Sequence, residues 1–102
     1  MILPCNREQF EALNNLFNYI MANTPTDIKK SLAHSLLKPI QKKLNTRVNA
    51  KVSGKRGWNL SLTEMQAKAY YTTFEGRYLG DKWVYEQLTI DRHLKLINKT
   101  YG

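Results

Sequence analysis

Cysteine is almost absent: one residue, Cys5, in 102. No internal disulfide can form, so the chain is not a cross-linked secreted scaffold, and a reducing compartment is the simpler expectation. Glycine and proline are scarce, five and three residues, while hydrophobics make up 42%. That balance excludes collagen-like and disordered chains. Long apolar runs are also missing. The stretch from Ala12 to Thr26 is free of charge but carries Asn14, Asn15, Asn18 and Asn23, which disqualifies it as a membrane span. Met1, Ile2, Leu3 and Pro4 provide neither a basic region nor an apolar run of secretory type, so a cytoplasmic protein is expected. Acidic residues are few, eight against sixteen Lys and Arg, for a net charge of +8. The length suits one small domain over residues 1–102.

Residues suited to catalysis are equally sparse. His34 and His93 are the only imidazoles, and neither stands at a telling distance from a nucleophile or a carboxylate. One Cys and two His do not make a zinc site. Ser53, Gly54, Lys55 and Arg56 superficially resemble a phosphate-binding loop. However, Asn49 stands where its first glycine belongs and Arg56 where Ser or Thr would hold magnesium. A non-enzymatic protein with no cofactor and no metal is expected.

Hydrophobic periodicity points to helices. Asn6 followed by Gln9 matches a capping box, with Cys5 and Phe10 at the staple positions, so a helix should start at Arg7 and run to about Asn23. Thr24, Pro25 and Asp27 signal a second helix start. Ile28, Leu32, Leu36, Ile40 and Leu44 then recur every four residues, interrupted by Pro39, which implies either a kink or two helices. From Arg47 the period becomes two: Val48, Ala50 and Val52, then Trp58 and Leu60 beyond a glycine-bounded loop. A β-hairpin near 47–61 is predicted. Ser61 and Glu64 predict a helix from Leu62, with Leu60 and Met65 as its staple. A turn near Gly80 and an Asp81 cap predict a final helix. The expected fold is mainly α with a small β-hairpin, in four to five helices. Three helical segments followed by a hairpin resemble, as an architecture, the winged-helix DNA-binding domains.

The basic residues are not spread evenly. Between Ile28 and Arg56 there are nine and no acidic residue, whereas residues 1–27 carry −2 and residues 57–102 carry +1. Such a block must turn its cations outward together. A run of this kind is often only a solvated face, but nine against none over 29 positions is more one-sided than solubility requires. The expected partner is nucleic acid, DNA ahead of RNA. The expected contacts are Lys38, Lys42, Lys43 and Arg47 on the helix and Lys51, Lys55 and Arg56 on the hairpin. Seven of the nine cations are lysine, which favours phosphate contacts over reading of bases. An acidic protein or an anionic membrane surface would suit the same charge.

The alternative is a protein-interaction or homodimerisation module using Trp83, Ile90, Leu94, Ile97 and Tyr101, which stand at heptad-like spacings. Packing of that seam on the domain's own core is its simplest fate. Eight of eleven aromatics follow Gly57; core packing is expected of them, with Tyr71 and Tyr85 the exposed members.

Overall fold

The computed structural model describes residues 1–22, 27–49 and 58–102, and for residues 29 and 30 the backbone alone. Along the chain lie strand β1 (Ile2–Leu3), helices α1 (Arg7–Ile20) and α2 (Ile28–Asn49), strand β2 (Leu60–Ser61), helix α3 (Glu64–Phe74), a 3-10 turn (Asp81–Trp83) and helix α4 (Val84–Tyr101). The fold is mainly helical with a small antiparallel sheet, as expected from the sequence.

Helix α1 begins where its cap dictates. The Asn6 side chain accepts from the Gln9 backbone at 2.8 Å, and the Gln9 side chain accepts from the Asn6 backbone at 2.9 Å. Caps of this kind contribute about 1 kcal/mol. Phe10, Leu13, Leu16 and Phe17 face inward. The Thr24 and Pro25 start signals fall outside the described residues, and helix α2 is seen from Ile28.

Helix α2 runs without a break through Pro39. An interior proline costs about 3 kcal/mol, whereas Leu37, Ile40 and Leu44, all buried, each contribute about 1.5–3 kcal/mol. Burial outweighs the lost hydrogen bond. Pro39 and Ser35 are both exposed, so water can reach the Ser35 carbonyl that the proline leaves without a donor.

Arg47–Asn49 are the last turn of α2 rather than a strand. Residues 50–57 lie outside the described set, and with them most of the hairpin predicted near 47–61. The partner of β2 is β1: Ile2 is paired with Ser61 and Leu3 with Leu60. The Leu62 nitrogen donates to the Met1 carbonyl at 2.8 Å, which extends the ladder by one residue. Among the described residues the sheet therefore joins segments far apart in sequence, unlike the wing of a winged-helix domain. Leu3 and Leu60 are buried while Ile2 and Ser61 are exposed; of the residues that set the period of two, only Leu60 lies in this pair.

Because Ser61 and Leu62 are held in the ladder, α3 cannot start at Leu62. Its cap moves two residues on, to Thr63, which accepts from the Gln66 backbone at 3.2 Å while Gln66 reaches back to Thr63 at 3.1 Å. With the cap at Thr63 the staple positions become Leu62 and Ala67, both buried, and Met65, expected at the staple, is 63% exposed; Ala69, Tyr70 and Phe74 are also inside. Gly80 turns the chain with φ 98°. Asp81 does not cap α4; its carboxylate accepts from the Tyr78 hydroxyl instead, and Tyr78 is left 72% exposed.

The helices close a ring in which α1 packs on α2 and α4, and α3 packs on α2 and α4. Phe17, Tyr70 and Phe74 meet at its centre, with ring centroids 5.3–6.1 Å apart. The end of α1 meets the later half of α2, where Asn18 donates to Asn45 at 3.1 Å and accepts from Gln41 at 3.0 Å. The first turns of α2 extend beyond that junction.

Candidate nucleic-acid interface

Successive residues of an α-helix are about 100° apart around its axis. Ser35, Lys38, Pro39, Lys42, Lys43 and Thr46 consequently fall within one arc of about 140° on α2, and all six are exposed. Leu37, Ile40 and Leu44 lie on the opposite side, in the core. Three of the four helix cations singled out from the sequence share a solvent face on a helix with no acidic residue. Arg47 stands at its border, half-buried. Lys51, Lys55 and Arg56 lie outside the described residues.

The cations differ in how firmly they are held. Lys38 and Lys42 project outward. The Lys43 ammonium donates to the Ser61 carbonyl at 2.7 Å and to the Gln66 side chain at 3.0 Å, tying α2 to the junction of β2 and α3. Both acceptors are neutral, so the positive charge of Lys43 persists. The Arg47 guanidinium sits over the Trp58 ring, 4.7 Å from its centroid. Arg7, from the first turn of α1, reaches the same ring at 5.7 Å and also pairs with Glu11 at 3.0 Å. Phe10 backs Trp58 edge-on at 5.6 Å. This cluster was not legible in the sequence. Trp58 closely follows the basic residues Lys55 and Arg56 in the sequence, which is a signal, but Arg7 is 51 residues away and only folding brings it there.

The alternative surface divides. Ile90 and Ile97 are fully inside the core and cannot touch a partner; Trp83, Leu94 and Tyr101 are half-buried and pack against that core. Trp83 meets Tyr19 at 5.4 Å, with the Lys82 ammonium over both rings. The apolar residues that α4 does expose are Val84, Tyr85 and Leu88. Tyr71, expected outside, is half-buried.

His93 is fully buried. Its Nε2 lies 2.8 Å from the Pro4 carbonyl, and its Nδ1 lies 3.0 Å from the hydroxyl of the equally buried Tyr70. The geometry fits a neutral ring that donates to Pro4 and accepts from Tyr70. Burial lowers the affinity of His93 for a second proton and raises the Tyr70 hydroxyl well above its ordinary range. The Cys5 sulfur is 3.6 Å from Nε2, and burial pushes its thiol up to about 11. Cys5 therefore keeps its proton at neutral pH, and the thiolate a nucleophile requires is not formed. The cluster locks the N-terminal segment, and through β1 the strand β2, onto α3 and α4.

Among the described residues no group of three His, Cys, Asp or Glu could hold a metal ion, and no helix is long and apolar enough to cross a membrane. No family model, curated protein or solved structure matches the chain.

Proposed function

We propose that this chain is a small basic nucleic-acid-binding protein that grips the phosphate backbone with little selectivity among bases and acts by binding rather than by chemistry. The observation that carries the reading is the exposed, acid-free face of α2 bearing Lys38, Lys42 and Lys43. Lys51, Lys55 and Arg56 continue the same block of charge along the sequence. Each neutralised phosphate releases a counterion, so affinity falls linearly on a log–log plot against salt by about 0.9 per contact on duplex. Engagement of four to six phosphates gives a slope of about −4 to −5.

Fluorescence anisotropy of labelled duplex DNA, single-stranded DNA and RNA over a salt series tests this directly. Micromolar or tighter binding with a steep salt slope, weakened by Lys38→Glu with Lys42→Glu, supports the reading. Flat curves for all three ligands at low salt overturn it.

A second reading is a protein-interaction module. It is favoured by Val84, Tyr85 and Leu88, exposed together on the first turns of α4, rather than by the Trp83 to Tyr101 seam. Sedimentation decides it for self-association: a dimer that persists in salt and is abolished by Leu88→Asp supports it, and a monomer at all concentrations removes it.

A further inference from the structure

The exposed face of α2 does not stop at its lysines. At about 100° per residue, Ile28 and Leu32 fall within the same arc of about 140° that holds Lys38, Pro39, Lys42 and Lys43. Ile28 is 87% and Leu32 63% exposed, and Pro39 is exposed beside them. These three apolar residues lie within about 40° of one another, with Lys38 and Lys42 along one side of them and Lys43 along the other. From Ile28 to Lys43 the strip is about 22 Å long at 1.5 Å per residue. No acidic residue interrupts it; Asp27 stands immediately before the helix and Glu64 is the next acidic residue after it. Leu37, Ile40 and Leu44 point the opposite way into the core, so the strip is presented without any unfolding.

A phosphate backbone accounts for the lysines but buries no aliphatic side chain. A single exposed Leu or Ile needs no explanation; two on adjacent turns of one helix, in line with a proline ring and bordered by cations, form a pattern. An anionic bilayer satisfies both parts of it. Its headgroups form a plane of negative charge, and its acyl chains begin a few ångströms below. Lysine suits the border, because its stem lies along apolar surface while the ammonium stays at the charged level. Among the described residues no helix is long and apolar enough to cross a membrane, so the contact is one of lying on the surface.

We infer that this face of α2 docks on an anionic lipid bilayer, with Ile28 and Leu32 entering the headgroup boundary and Lys38, Lys42 and Lys43 meeting lipid phosphates and carboxylates. This goes beyond the nucleic-acid reading: it shares those lysines and adds two aliphatics that nucleic acid does not use.

The test is co-sedimentation of the full chain with vesicles of phosphatidylcholine, alone or mixed with phosphatidylserine, at one salt concentration, with labelled duplex DNA titrated in parallel. The expected result is binding to the mixed vesicles and none to phosphatidylcholine alone. Ile28→Ser with Leu32→Ser should weaken vesicle binding at least about tenfold and leave duplex binding within about twofold, with an unchanged far-ultraviolet circular dichroism spectrum. Lys38→Glu with Lys42→Glu should weaken both. Leu32→Trp should bind mixed vesicles more tightly, and its added emission should shift to shorter wavelength on them. Vesicle binding that ignores the serine pair, equal binding to both kinds of vesicle, or no vesicle binding overturns the inference and leaves the nucleic-acid reading to its own titration. Vesicle binding of the expected pattern without duplex binding supports the inference and overturns the nucleic-acid reading.

Discussion

The two halves of α2 carry the same apolar repeat and meet opposite fates. Ile40 and Leu44 are fully buried, while Ile28 and Leu32 are 87% and 63% exposed. Two physical causes separate them. A four-residue step advances about 40° around the helix, so a stripe that faces the core at Ile40 has rotated about 120° away by Ile28. The cover is also unequal. The later half lies under the end of α1, fixed at Gln41 and Asn45, and beside β2 and α3, fixed through Lys43. The earlier turns extend past α1. Periodicity states which residues share a face; it does not state whether another element arrives to cover it.

The sharpest way to break the comparison is truncation at each end. Leu44→Ala should destabilise by about 2–5 kcal/mol, whereas Ile28→Ala should stay within about 0.5 kcal/mol. Urea unfolding reads both, and equal losses would show that the first turns are covered in solution.

Next in size is the polar anchor behind the cover. Tyr70→Phe removes the donor to His93 Nδ1 in a fully buried setting and should cost about 1–3 kcal/mol. Amide exchange should then rise at Leu3 and Leu60 more than in the first turns of α2. Uniform change along the chain would mean that the His93 cluster does not hold the strand pair.

Acidification tests the same anchor without a substitution. Burial holds the proton affinity of His93 below its ordinary 6.5, so the unfolded chain takes up the proton more readily. Stability from this group is complete above about pH 6.5 and declines as the pH falls through 6.5 towards the lower folded value. Urea midpoints at pH 7.5, 6.5 and 5.5 should decrease in that order; midpoints unchanged or rising over this range count against a neutral buried ring.

The smallest effects separate cations that brace the fold from those that only project. Lys43→Met should lower stability by at most about 1 kcal/mol, because its two hydrogen bonds are exposed. Lys38→Met and Lys42→Met should leave stability within about 0.5 kcal/mol and each reduce the salt slope of the proposed nucleic-acid binding by about one. A stability loss for Lys42→Met equal to that for Lys43→Met would merge the two classes.

Legibility followed the range of the forces involved. The Asn6 and Gln9 cap spans three residues and is found where it was read. The turn at Gly80 depends on a single backbone dihedral, and Gly is the residue that tolerates it. The outward placement of Lys38, Lys42 and Lys43 follows from helical geometry once Ile40 and Leu44 point inward. The box at Ser61 and Glu64 was equally plausible locally, but the pairing of Ser61 with Ile2 claimed its cap residue for a strand and passed the role to Thr63. Arg47 and Val48 alternate like a strand and form a helix, because α2 continues and their neighbours Ile40 and Leu44 pack its last turns. His93 had no recognisable spacing because its partners, Pro4 and Tyr70, are 89 and 23 residues distant.

By itself the sequence determined the helical character of the chain, the start of α1, the turn before α4 and the confinement of excess positive charge to one block. Each depends on neighbours within a few residues or on composition. Tertiary structure alone decided the partner of β2, the start of α3, the exposure of the first turns of α2, the buried His93 anchor and the gathering of Arg7 and Arg47 on Trp58. These depend on contacts between segments separated by tens of residues, whose formation is set by the packing of the whole core and leaves no periodic trace in either segment.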